Sequence, residues 1–249
     1  MSTYLMTLQY DGTRYNGWQK QGNTPNTIQE KLESLLTRLY GFPVEIAGSG
    51  RTDAGVHALG QTASFRIPDK ADHYSCEDLF SQMNLYLPLD IRVLSVIPAG
   101  ERFHARLLAK SKIYEYRIDT GSPADVFHRR YALHVQERLD MAAMEEAARR
   151  LTGTHDFLGF CANKHMKKSS LRTIYHIELR QEGVFLIISF CGNGFLYNMV
   201  RIMTGTLIEV GLHQKSPEDI DQILWQRDRS LAGFTAPPQG LFLVSVSYQ

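Results

Sequence analysis

The sequence predicts an α+β fold built from two halves that share one β-α-β-β-α-β order. Three observations predict it. Short apolar runs of strand length alternate with longer segments of helical period, the helical segments carry capping residues at their ends, and the order of elements before residue 100 recurs after it. Tyr4 to Tyr10 reads as the first strand. Thr27 to Tyr40 reads as an amphipathic helix, with Ile28, Leu32, Leu35, Leu36 and Leu39 on one face. Thr27 with Glu30 forms a capping-box pattern, Gly41 suits the C-terminal cap and Pro43 forbids continuation. Strands follow at Val44 to Ala47 and Gln61 to Ile67, then a helix from about Cys76 to Leu87 stopped by Pro88, then a strand at Ile91 to Ile97. The second half repeats this order with Tyr114 to Ile118, a helix from Asp140 to Leu151 closed by Gly153, Thr173 to Arg180, Val184 to Cys191, a helix from Phe195 to Leu212, and Leu241 to Tyr248. A short helix starting at Ser216, with Pro217 at its first position, is inserted before the last strand. The halves share no alignable residues, so the repeat is one of element order.

Two ferredoxin-like (RRM-like) halves imply two antiparallel sheets packed side by side, with a cleft between them as the expected active site. The expected division is residues 1–105 for the first domain and 106–249 for the second. The segment Phe103 to Lys112 lacks the length and the Pro/Gly/Ser content of a free linker. With 249 residues and 43% hydrophobic content the chain can bury a large core. The longest strongly apolar run, Val184 to Phe190, is too short for a membrane-spanning helix and reads as a buried strand. Met1-Ser2-Thr3-Tyr4-Leu5-Met6 has no basic or apolar signal region, so no secretory signal is expected. Cys76, Cys161 and Cys191 are odd in number and lack Cys-x-x-Cys spacing, which points to reduced thiols and a cytoplasmic setting.

The stretch Gly50-Arg51-Thr52-Asp53-Ala54-Gly55-Val56-His57-Ala58 has the layout of a site. Glycines allow positive φ or close approach, a turn aspartate can point into a cleft, and Arg51 offers a planar fork to phosphate or carboxylate. The same residues also fit a simple Asx turn between two strands. Gly48-Ser49-Gly50 lacks the Gly-Lys-Ser/Thr continuation of a P-loop. His57 and His104 have no metal-ligand spacing to each other or to a cysteine, so no metal is expected.

Arg51 to Ala58 resembles, residue for residue, the signature of the tRNA pseudouridine synthase I (TruA) family. Other segments resemble the family in its order: Tyr10-Asp11-Gly12-Thr13-Arg14-Tyr15-Asn16-Gly17-Trp18-Gln19, Thr27-Ile28-Gln29-Glu30-Lys31-Leu32, Phe103-His104-Ala105-Arg106, Tyr114-Glu115-Tyr116, Asn193 to Arg201, and Gly240 to Val244. The resemblance covers nearly the whole chain. It implies isomerisation of uridine to pseudouridine in the anticodon stem-loop of tRNA, at positions 38–40, with the base flipped out of its stack. By resemblance Asp53 is the catalytic carboxylate, Arg51 fills the space left by the flipped base, Tyr114 stacks on the uracil, Arg201 keeps the carboxylate ionised, and Leu241 forms an apolar wall. From the residues alone, Tyr114 also fits an ordinary strand position, Arg201 a helix surface and Leu241 a core. An isomerisation requires no redox cofactor and no metal-activated water, so no cofactor is expected. Glu115 is a departure from the family pattern, and strand alternation should turn it away from Tyr114.

A net charge of +1 requires basic residues to be segregated if the partner is RNA. Arg102, Arg106, Lys110, Lys112 and Arg117 form one cluster, and Lys164, Lys167, Lys168 and Arg172 another; Arg106, Lys112, Lys167 and Lys168 are the candidate RNA contacts. A solvated surface is the competing reading of each. A silent RNA-binding module would need the sheet aromatics and basic loops but not the Asp53 motif. A glycosidase would want a second acid, and none lies near the motif segments. The expected protein is a cytoplasmic, homodimeric tRNA isomerase with no membrane association.

Overall fold

The computed structural model describes residues 1–71, 74–163, 166 and 168–249. In chain order its regular elements are β1 (Ser2–Tyr10), α1 (Ile28–Tyr40), β2 (Ile46–Gly48), β3 (His57–Ile67), α2 (Cys76–Tyr86), β4 (Ile91–Ala99), β5 (Ser111–Asp119), β6 (Leu133–His134), α3 (Met141–Leu151), β7 (Gly153–Asp156), β8 (Leu171–Glu182), β9 (Phe185–Gly192), α4 (Met199–Gly211), α5 (Asp219–Gln226) and β10 (Leu241–Ser247). Short 3₁₀ turns lie at Gly12–Arg14, Phe157–Phe160 and Pro238–Gly240. The fold is mixed α+β, in two compact units: residues 1–110 with 242–249, and residues 111–241.

In the first unit β1 lies antiparallel between β4 and β3, with Met6 opposite Val96 on one side and Ala63 on the other. The outer edge of β3 is shared. Antiparallel β2 covers Ala63 to Phe65, and parallel β10 covers His57 and Ala58 through Phe242 and Leu243. The expectation of a purely antiparallel sheet fails at β10. A parallel neighbour needs a long crossover, and the whole second unit intervenes between β3 and β10 in the chain. Alternate β1 residues Met6 and Leu8 are fully buried, as are Ile28, Leu32 and Leu36 of α1 and Leu79 and Met83 of α2, the apolar stripe expected of helices that cover a sheet face.

In the second unit the antiparallel order is β5-β9-β8-β7, with Tyr114 opposite Phe190, and β6 adds a two-residue parallel pairing to β5. Tyr116, Ile118, Ile188 and Phe190 are buried together with Met144, Ala147 and Leu151 of α3 and Ile202, Met203 and Leu207 of α4. Glu115 points away from Tyr114 as alternation requires, and Arg180 Nη2 binds its carboxylate at 2.7 Å.

Two local expectations change. Thr27 caps α1 by accepting the Glu30 amide, but the Glu30 carboxylate turns to Lys20 at 2.9 Å instead of closing a box. The complete capping box is at α2, between Ser75 and Asp78. α4 starts at Met199 rather than Phe195, because Asn198 adopts φ 59 and Asn193 is tied back to β8 through Thr173. Among the described residues no helix is long and apolar enough to cross a membrane.

Candidate active site

Asp53 sits at the tip of a turn leading into β3, half-buried, between exposed Arg51 and Ala54. Its carbonyl accepts the Val56 amide at 3.1 Å, and Gly55, at the third position of the turn, has φ +79. Only glycine takes that angle at no steric cost. Distant segments fix the flanks of the turn. Trp18 donates its amide to the Thr52 carbonyl at 3.0 Å, Gly55 donates to the Tyr15 carbonyl at 3.3 Å, and the Tyr10 hydroxyl meets Thr52 Oγ1 at 2.7 Å. Burial raises the Tyr10 pKa, so the hydroxyl stays protonated. Upstream, buried Gln61 binds Ser49 Oγ at 2.6 Å and the Gly50 carbonyl at 3.1 Å.

Two glycines let the first loop lie directly on this turn. A Cβ at Gly12 would stand 2.0 Å from the Val56 carbonyl oxygen, and one at Gly17, where φ is +86, 2.6 Å from that of Thr52. The Gly12 amide lies 3.1 Å from His57 Nδ1, Asp11 Oδ1 lies 3.2 Å from the same nitrogen, and the ring stacks on Phe242 at 4.7 Å. Asp11 also caps the 3₁₀ turn through Thr13.

Arg51 is held differently. Its Nε donates to Gln19 Oε1 at 3.0 Å, Gln19 donates to Gln29 at 2.8 Å, and Gln29 donates to buried Glu33 at 2.8 Å. The Ile46 amide completes the chain on Glu33 at 3.0 Å.

In the second unit Tyr114 is buried on β5, its ring meeting that of Phe195 edge-on at 5.2 Å. Arg201, on the first turn of α4, donates Nε to the Ala236 carbonyl at 2.7 Å and Nη1 to Asn198 Oδ1 at 2.9 Å. Its charge also pulls down the Tyr116 pKa against the larger upward effect of burial. Tyr116 donates to the Pro237 carbonyl at 2.7 Å, and Gly240 lies so close to its ring that a Cβ would be 2.7 Å away. Leu241 follows, buried.

Arg51 and Asp53 thus share one loop of the first unit, and Tyr114 and Arg201 belong to the second. Of the candidate RNA contacts, Arg106 and Lys168 are exposed and Lys112 is half-buried; Lys167 lies outside the described residues. The residues that sequence reasoning missed are Tyr10, Gln19 and Gln61 through their side chains and Trp18 through its backbone amide. Tyr10, Trp18 and Gln19 stand in or beside the motif segments, but nothing in their spacing signals a bond to residues about 30–40 positions on. Among the described residues no group of three or more His, Cys, Asp or Glu side chains is placed to hold a metal ion.

A family profile described as tRNA pseudouridine synthase matches residues 6–106 and 147–249. The chain is 46% identical over 248 residues to the tRNA pseudouridine synthase A of a Bacillus species (strain KSM-64), covering all of both proteins. It is 46% identical over 249 residues to that of an Exiguobacterium species, covering the whole chain and 99% of the relative. A Bacillus cereus tRNA pseudouridine synthase A 2 is 44% identical over 248 residues, again across both full lengths.

Proposed function

The chain belongs to the tRNA pseudouridine synthase family, and from that premise we propose that it isomerises uridine to pseudouridine in the anticodon stem-loop of tRNA, at positions 38–40. In this reaction the N1–C1′ bond breaks, the uracil turns in place, C5 bonds to C1′, N1 gains a proton and C5 loses one. No atom is lost and no electron leaves, so side chains suffice. Asp53 supplies the carboxylate, as nucleophile or as stabiliser of positive charge on the sugar. Tyr114 stacks on the uracil, Leu241 bounds the pocket, Arg201 carries a fixed positive charge that favours an ionised carboxylate, and Arg51 enters the space that the flipped base leaves. Arg106, Lys112, Lys167 and Lys168 contact phosphates. We place the reaction in the cytoplasm and assign the working form as a homodimer.

The observation that carries this reading is the bracing of the Asp53 turn. Its flanks are bonded to Tyr10, Tyr15 and Trp18, its entry to Gln61, and Asp53 itself stays half-exposed beside exposed Arg51 and Ala54. Such bracing of a partly exposed carboxylate favours a group pre-positioned for chemistry over an incidental turn. The test is incubation of an unmodified tRNA transcript with the protein, followed by chemical labelling of pseudouridine and primer extension. Stops at positions 38–40 are expected; a transcript without them refutes the proposal.

A further inference from the structure

Arg172 lies at the start of β8, half-buried. Its Nη1 donates to the Ser169 carbonyl at 2.9 Å and the Leu171 carbonyl at 2.5 Å, while Nε and Nη2 meet no acceptor among the described residues. Elsewhere in the unit, Arg150 meets three carboxylates, Arg180 two and Arg227 one. Arg172 meets none among the described residues. Burial lowers its pKa, against a smaller upward pull from nearby Cys161. The unused faces of the guanidinium are open to an arriving anion.

The adjoining backbone carries donors beside the guanidinium. Asn193 is stapled to β8 twice, its amide donating to the Thr173 carbonyl at 3.0 Å and its Oδ1 accepting the Thr173 amide at 3.0 Å. Gly194 comes next, where a Cβ would lie 3.7 Å from Arg172 Nε; glycine keeps that flank of the guanidinium clear of a side chain. The Gly194 and Phe195 amides make no hydrogen bond among the described residues. The Phe195 ring then meets Tyr114. A planar donor fork, two unused amides and the edge of the Tyr114 pair therefore adjoin one another.

We propose that Arg172 and the Asn193–Gly194 turn form a phosphate site that grips the RNA backbone beside the target uridine. This rests on the RNA-substrate reading above. A guanidinium fork matches two phosphate oxygens at once, whereas an ammonium does not.

The test uses the full chain, with R172Q and R172K, and an anticodon stem-loop RNA. R172Q should bind roughly ten- to hundredfold more weakly at low salt and flatten the log–log salt dependence by about one unit. R172K should keep the slope and recover part of the affinity. Neutral methylphosphonate linkages are then placed one at a time through the loop. One linkage next to the target uridine should weaken wild type but leave R172Q unaffected. Weaker binding with an unchanged salt slope, or an R172Q that responds to each linkage as wild type does, overturns the site. If thermal melting shows that R172Q is unfolded, R172K decides: the critical linkage must weaken it less than wild type. Pseudouridine formation by wild type is scored separately. If no pseudouridine forms while the linkage effect holds, the reaction reading fails and the site stands; normal formation with a flat linkage scan removes the site alone.

Discussion

Gly12→Ala tests whether the bracing of the Asp53 turn matters to the reaction. Gly12 is 45 residues from His57 in sequence yet packs on the carbonyl of Val56, where an added Cβ would sit 2.0 Å from the oxygen. Carbon and oxygen do not approach within 3.0 Å, so one of the two backbones must retreat by at least about 1 Å. Val56 donates its amide to Asp53, so the displacement passes directly into the turn. A misplacement of about 1 Å at a reacting group can cost on the order of 10²-fold in rate, while the overpacking itself should cost roughly 1–3 kcal/mol of stability. Single-turnover pseudouridine formation with enzyme in excess reads the first quantity, and thermal or urea unfolding the second. RNA affinity should change little, since phosphate contacts supply most of it. A Gly12→Ala protein that reacts at the wild-type rate would refute the claim that this packing positions Asp53.

Asp53→Asn should abolish turnover while leaving tRNA affinity nearly intact, measured by filter binding and turnover on one preparation; a rate near wild type would remove Asp53 from the chemistry. Tyr114→Phe should bind tRNA almost normally but react far more slowly in single turnover, whereas Tyr114→Ala should also lose stacking worth about 1–3 kcal/mol. If Tyr114→Phe reacts as wild type does, the hydroxyl takes no part in removing the C5 proton. Gln19→Glu should convert the Arg51 contact into a charge-assisted one, at the loss of the donation to Gln29, slowing the base-flipping step read by a fluorescent base analogue beside the target; an unchanged flipping rate would show that Arg51 need not leave Gln19.

The helices were legible in the sequence where chemistry marks their ends. Thr27 caps α1 and Gly41 closes it at φ 74, as their residue types require. The start of α4 was not, because Phe195-Leu196-Tyr197 carries a helical apolar pattern and nothing local announces the left-handed turn at Asn198. Nor was the partner of β10, since strand pairing across nearly 200 residues leaves no periodic trace. The Asp53 motif stood out as a string, yet what holds it did not. Tyr10, Trp18 and Gln61 look like ordinary strand or loop residues until folding brings them to Thr52 and Gly50. Arg172 was visible as one charge in a basic cluster; its half-burial and its want of a carboxylate among the described residues are properties of three dimensions.

The contrast between Asp53 and Arg51 follows from how each is held. The backbone around Asp53 is fixed by bonds that cannot be exchanged without moving the loop: Trp18 on Thr52, Tyr15 on Gly55, and the internal Val56 bond. Arg51 is exposed and, among the described residues, held through its side chain by one neutral acceptor, Gln19. A bond of that kind contributes about 1 kcal/mol net, comparable to thermal energy and small beside the few kcal/mol needed to unstack a base. On the proposed function, binding of RNA would draw Arg51 away from Gln19 without disturbing the bonds around Asp53, although only Thr52 separates them. On the roles proposed for them, a carboxylate acting at a set atom would need the rigid anchoring and an arginine replacing a departing base the loose one; the two bonding patterns divide along that line.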